Sequence, residues 1–190
     1  MLARAERRAP GYTEASFRVW LDTDLHEVTV DRLASIVQRI VAIEAPVHEE
    51  EVARRAARMM NKDRVGNRIL ASVRAALNHA ARKSGTIRSD GQFWSPTALD
   101  WVLKVRDRSA ASTSLQKAES IAPSEIEQAI AEIVDANGRL PRDQVAVAAS
   151  RLLGFQRTGS DLRLRIEMVL KGMIRKGRVA DNDGHVTVRP

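Results

Sequence analysis

The chain has 190 residues, with 31 Lys and Arg against 24 Asp and Glu, a formal net charge of +7 and no cysteine. That length fits one domain or two small ones, and 44% hydrophobic residues suffice for a core, which excludes wholesale disorder. Without cysteine there are no disulfides, Cys-ligated zinc, iron–sulfur clusters or thiol catalysis, and no apolar run approaches the roughly 20 residues that cross a bilayer.

Residues 1–26 read as a basic, irregular arm. Met1 to Arg8 is basic but no apolar segment follows, so it does not read as a signal peptide, and a soluble, cytoplasmic protein is expected. Phe17, Val19 and Leu21 alternate as in a short strand. Beyond the arm, a shift of 93 positions brings two stretches into register. Arg64 meets Arg157, Gly66 meets Gly159, Leu77 meets Leu170, and the apolar pairs Val47/Leu140, Ile69/Leu162 and Val73/Ile166 follow. Gly91 lands on Gly184 in the same register. This predicts a duplicated unit at 27–96 and 121–190.

Each copy reads as three helices and a hairpin. In copy one Thr29 is the expected N-cap of a helix with the stripe Leu33, Ile36, Val37 and Ile40. A short helix covers about His48 to Met60, with Glu49, Glu50 and Glu51 suiting the positive end of its dipole. A turn at Lys62-Asp63-Arg64-Val65-Gly66 leads to a third helix capped by Asn67, whose stripe is Ile69, Val73, Ala76, Leu77 and Ala80. Thr86-Ile87-Arg88 and Gln92-Phe93-Trp94 then form two strands around a glycine turn. Residues 97–120 read as a linker: Ser109 to Ser114 is a small-polar, flexible tract, and Trp101, Leu103 and Val105 are expected to pack on copy one.

Copy two opens on a Ser124-x-x-Glu127 capping box before Ile126, Ala129, Ile130 and Ile133. Its second helix spans about Arg142 to Leu153. The third is capped by Ser160 and striped by Leu162, Ile166, Val169, Leu170 and Met173. Arg178-Val179-Ala180 and His185 to Val188 close it. The expected fold class is mainly α with small β-hairpins, as two winged-helix repeats in tandem.

Positive charge concentrates where such a fold meets a nucleic-acid backbone. Lys62 to Arg88 holds seven basic residues and one acidic, and Arg151 to Arg178 holds eight and two. The plainer alternative is that these residues only solvate an exposed helix face. On a helical wheel the face opposite the stripe of copy one shows Arg68, Ala71, Ala75, Asn78, His79 and Arg82. Arg can fork onto guanine, Asn onto adenine, and alanines permit close approach. Copy two shows Asp161, Leu164, Met168, Lys171, Gly172 and Arg175, which suits a protein surface better. The candidate DNA-binding residues are therefore Arg64, Asn67, Arg68, Arg74, Asn78, Arg82, Lys83 and Arg88, then Arg157, Lys171, Arg175 and Arg178. Leu164 and Met168 are the candidate protein-interaction residues. Phe93 and Trp94 offer faces for base stacking, although closing the core beneath the hairpin is the favoured reading.

Catalytic motifs are nearly absent. Gly154 to Asp161 imitates a phosphate-binding loop, but Ser160 stands where the lysine belongs and no strand leads in, so nucleotide binding is not expected. His26, His48, His79 and His185 show no metal-ligand spacing. A non-enzyme without cofactor, metal or membrane contact is expected.

Pro46 to Arg55, Arg64 to Ile69, Gly91 to Trp94, Val105 to Ser109, Ile121 to Ile126 and Arg151 to Phe155 recur in one recognisable order. Over about residues 12–190 the chain resembles the uncharacterised C-terminal domain of very large bacterial proteins. Those join a superfamily 1 DNA helicase to a Vsr-like or restriction-type endonuclease and are suspected of acting in anti-phage defence. The resemblance implies a nucleic-acid context and a helicase or nuclease partner, with this chain as an accessory subunit or part of a larger protein. Two other expectations stand beside DNA binding: a protein-interaction module docking on that partner, and a transcriptional regulator.

Overall fold

A computed structural model of the chain describes residues 8–19, 27–62 and 64–188. Leu21, His26, Asp63 and the chain start Met1 to Arg7 lie outside the described residues. The fold is mainly helical, with six α-helices and small antiparallel sheets among the described residues. It divides into two compact units, Thr13–Val102 and a second formed by Met1–Tyr12 with Leu103–Pro190.

In the first unit α1 spans Val30–Glu44, β1 Val47–His48, α2 Glu49–Met59, α3 Asn67–Lys83, β2 Ile87–Asp90 and β3 Phe93–Pro96. The periodic stripes explain the packing. Leu33, Ile36, Val37 and Ile40 of α1 meet Val73, Ala76, Leu77 and Ala80 of α3 in one buried cluster, which Val52, Ala53 and Ala56 of α2 complete. Trp94 belongs to this cluster and closes the core, and Phe93 is also buried, its ring set edge-on to His48 at 5.1 Å. Phe17 and Val19 pack against the same cluster as irregular chain rather than as a strand.

The second unit repeats the order: α4 Pro123–Asn137, β4 Arg139–Pro141, α5 Arg142–Leu152, α6 Ser160–Arg175, β5 Val179–Asn182 and β6 His185–Val188. Its core gathers Ile126, Ile130, Val145, Ala149, Ile166 and Leu170. Both sheets place their third strand in the middle, as β1-β3-β2 and β4-β6-β5. Val47 opposes Trp94 as Leu140 opposes Val186, and the Glu49 amide donates to Gln92 O as the Arg142 amide donates to Gly184 O, each at 2.9 Å.

That correspondence corrects the register at the hairpins. The helices keep the shift of 93, but α6 is one residue shorter than α3 and the strands follow at 92. Gly91 (φ 59°) therefore matches Asp183 (φ 50°), and Gly184 matches Gln92. Strands β1 and β4 were not expected; each is too short to carry a periodic signal and exists through its pairing to the hairpin.

The caps differ as well. Gly66 and Gly159 are the N-caps of α3 and α6, so Asn67 and Ser160 are the first helical residues; each glycine's carbonyl accepts from the fourth residue on. Thr29 is the N-cap of α1 but makes no side-chain cap bond. In α4 the cap is Ala122 with Pro123 at the first position, and Ser124 and Glu127 form no capping box.

The stretch expected as a linker holds more structure than its composition suggests. Val105 and Leu115 are buried, and Arg108 is 0% exposed. Val105 joins the core of the second unit, not the first, and Leu103 opens that unit's share of the chain. The anchor is Glu125, fully buried in the first turn of α4. Arg106 donates to it from its backbone at 3.0 Å and from Nη2 at 2.8 Å, and Arg108 from Nη1 at 2.9 Å and Nη2 at 2.6 Å. Tyr12 lies under both guanidinium groups, with Arg106 Cζ 4.5 Å and Arg108 Cζ 5.1 Å from its ring centre.

Candidate nucleic-acid interface

Helix α3 exists because its apolar stripe pays into one side of the core; the other side is left to solvent by the same periodicity. Buried Val73, Ala76, Leu77 and Ala80 fix the rotation of the helix, and Arg68, Ala71, Ala75, Asn78 and Arg82 are exposed along the opposite face. Arg64 lies exposed in the turn before the helix and Arg88 exposed on β2. Among the described residues Arg64, Arg68, Arg82 and Arg88 make no ion pair. Ala71, Ala75 and Asn78 lie between Arg68 and Arg82 along the face.

The flanking cations are different. Arg74 sets Nε at 2.8 Å and Nη2 at 2.5 Å from Glu49 Oε1 at the start of α2. Hydrogen bonding to Glu49 and then its charge hold the Arg74 pKa above the usual guanidinium value. On the other flank Lys83 Nζ lies 2.6 Å and His79 Nε2 2.9 Å from Asp31 Oδ1 on α1. The hydrogen bonds from Lys83 and His79 keep the Asp31 carboxyl below its ordinary range. Asn78 spends an amide hydrogen on Arg74 O at 2.9 Å. Asn67, at the first position of α3, is exposed. Among the described residues the eight sequence-derived positions in this unit thus separate into four arginines without an ion pair, two cations already matched by carboxylates, and two asparagines.

In the second unit Leu162, Ile166, Leu170 and Met173 are buried and orient α6 in the same way. Leu164 is 60% and Met168 64% exposed, and Lys171 and Arg175 are exposed without an ion pair among the described residues. Arg157 is exposed in the loop before α6. Arg178 is paired with Glu127 of α4, which also accepts from Lys176 Nζ at 3.3 Å.

The pair that flanks α3 is inverted here. The positions of Glu49 and Arg74 are taken by Arg142 and Glu167. Arg142 turns to Asp181 on β5. A recess of about 380 Å³ lies among Arg142, Asp143, Glu167, Leu170 and Gly184. A larger cleft of about 620 Å³ runs past Ile133, Leu152 and Phe155, with Arg8, Glu132 and Arg151 on its rim, and none of the sequence-derived site residues lines it.

Sequence reasoning missed the most heavily built polar cluster of the first unit. Arg55, 1% exposed, donates from Nε to Glu44 at 2.8 Å, from Nη1 to Glu51 at 3.2 Å and pairs with Glu14 at 3.2 Å. The Ala15 amide also donates to Glu44, at 2.7 Å. Burial works to lower the Arg55 pKa; the charges of Glu44, Glu14 and Glu51 outweigh it and raise it. The only signal in the sequence was charge on the inward face of a helix, at Glu51 and Arg55, four residues apart. Among the described residues no group of three or more His, Asp or Glu could hold a metal ion, and no helix is long and apolar enough to cross a membrane.

Comparison with curated proteins and with solved structures finds no match. A family model described as a protein of unknown function (DUF3320) matches residues 23–71, the stretch that carries α1, β1, α2, Arg55 with its partners Glu44 and Glu51, and the exposed Arg64 and Arg68.

Proposed function

We propose that each unit is a winged helix and that the chain is a non-catalytic nucleic-acid-binding module, led by α3 of the first unit and acting on DNA. The element order, with a helix pair joined by a turn and closed by a three-stranded sheet, supports the fold reading. One observation carries the function: among the described residues Arg68 and Arg82 make no ion pair, and they stand on an exposed helix face with the small side chains of Ala71 and Ala75 between them. Cations already matched by carboxylates have little to gain from phosphate, whereas unpaired ones bring counterion release in full. With the sequence resemblance, this fits an accessory role that positions a helicase or nuclease on DNA.

The test is fluorescence anisotropy with labelled duplex and single-stranded oligonucleotides over a salt series. Affinity for random duplex in the micromolar range or weaker is expected, falling by orders of magnitude from low to high salt. Binding that is absent at low salt, or indifferent to salt, contradicts the proposal.

A second reading has its own observation. Leu164 and Met168 are large apolar side chains more than half exposed on α6, which favours a protein-docking role for the second unit. A Leu164→Asp change that leaves DNA binding intact but abolishes recovery of a helicase–nuclease partner supports it.

A further inference from the structure

We propose that the exposed face of α6 is a self-association surface, on which α6 of a second copy of this chain lies antiparallel about Met168. The inference does not rest on the DNA-binding reading. Asp161, Met168 and Arg175 recur every seven residues along α6, so they form one stripe, with Leu164 and Lys171 beside it. The stripe is acidic at the helix start, apolar in the middle and basic at the end. Such a pattern is complementary to itself when reversed, which is what a two-fold interface requires.

With the two-fold axis at Met168, Asp161 faces Arg175 of the second copy and Arg175 faces its Asp161. Met168 meets its own counterpart. Leu164 lies along the aliphatic stem of Lys171 of the second copy, whose ammonium is left near Glu167 on the same flank. The reversed helices also oppose their dipoles favourably. The charges are available for this. Among the described residues Arg175 has no ion pair, and Asp161 accepts from the neighbouring Ser160 hydroxyl alone, at 3.2 Å.

The same positions in α3 show that the pattern is not a by-product of the fold. Arg68, Ala75 and Arg82 stand where α6 has Asp161, Met168 and Arg175. Reversed on itself, α3 sets arginine against arginine, which repels a copy and favours a polyanion. One helix face is built to attract phosphate and the other to attract itself. With two apolar side chains per copy the contact is small, so the dimer is weak, with a dissociation constant of roughly 10–100 μM, and salt-sensitive.

Sedimentation equilibrium of the full chain from low to high micromolar concentration tests this. Wild type is expected to shift from monomer to dimer across that range, and Leu164→Asp or Met168→Lys to remain monomeric. Asp161→Arg alone and Arg175→Asp alone each weaken the dimer about tenfold. An equimolar mixture of these two variants, and the double variant carrying both, recover it, which a change in helix stability does not produce. A wild type that stays monomeric throughout overturns the proposal. So does a dimer that survives all these changes, single charge reversals that the mixture does not rescue, or a Leu164→Asp variant altered in DNA binding or in capture of another protein while its own association is unchanged.

Discussion

Arg68 and Asp161 are each the second residue of the third helix of their unit, so one backbone position carries opposite charges in two copies of the same element order. The contrast extends down the helix, where Ala75 and Met168 share a position and Arg82 and Arg175 share another. The two helices have apolar packing faces at the same positions and chemically different solvent faces.

The unpaired and paired cations of α3 are expected to behave differently. Arg68→Gln should weaken duplex binding by about 3- to 10-fold at low salt and lower the salt slope by about one. Arg74→Gln should cost less than half as much, because Glu49 already neutralises that guanidinium. Anisotropy titrations of the single variants measure the difference.

Arg55→Met should destabilise the protein by about 3–5 kcal/mol, since it strands Glu44 without its buried partner. Arg58→Met, whose guanidinium is more than half exposed and pairs with Glu14 at 3.2 Å, should cost no more than about 1 kcal/mol. Urea unfolding of the two variants separates them.

Stability should fall in acid through Glu125. Its burial works to raise the carboxyl pKa, but the charge and hydrogen bonds of Arg108 and then Arg106 prevail and hold it below the usual value. A group lowered on folding contributes fully above its unfolded pKa of about 4.3, and that contribution drains away as pH drops through the folded value. Glu125→Gln should therefore be less stable than wild type at neutral pH and lose less between pH 5 and pH 2. Thermal melts across that window check the sign.

Two glycines with positive φ should respond unequally to alanine. A Cβ on Gly154 (φ 89°) would stand 2.1 Å from Asp107 Oδ1 and 2.5 Å from the Arg108 amide nitrogen. Gly138 (φ 69°) has nothing within 4 Å. Gly138→Ala should cost about 1–2 kcal/mol for the left-handed backbone alone. Gly154→Ala adds a backbone collision and should cost about 2–4 kcal/mol. Denaturant midpoints give both values.

The helices were legible because each buries a stripe with a 3.6-residue period, from Leu33–Ile40 in α1 to Leu162–Met173 in α6. The hairpins were legible from glycine turns and a change of period. Strands β1 and β4 were not: Val47–His48 has no periodicity of its own and is held by Trp94 and Phe93 across the sheet. The 103–120 segment misled through composition. Its small-polar tract is anchored by Arg108 and Leu115, and an arginine bound to a carboxylate 17 residues away leaves no local trace. The exposed faces followed from the stripes, so Arg68, Arg82, Leu164 and Met168 could be put at the surface. The pairing of Arg74, Lys83 and Arg178 could not, since it depends on which side chain a neighbouring helix presents.

The most direct measurement compares two double charge reversals of equal size. Arg68→Glu with Arg82→Glu alters the unpaired face of α3, while Lys104→Glu with Lys117→Glu alters exposed lysines in the 103–120 segment. In duplex binding at low salt the α3 variant is predicted to lose at least about 100-fold, and the lysine variant less than about 10-fold. Equal losses would mean that net charge alone draws the protein to DNA and that α3 offers no particular surface.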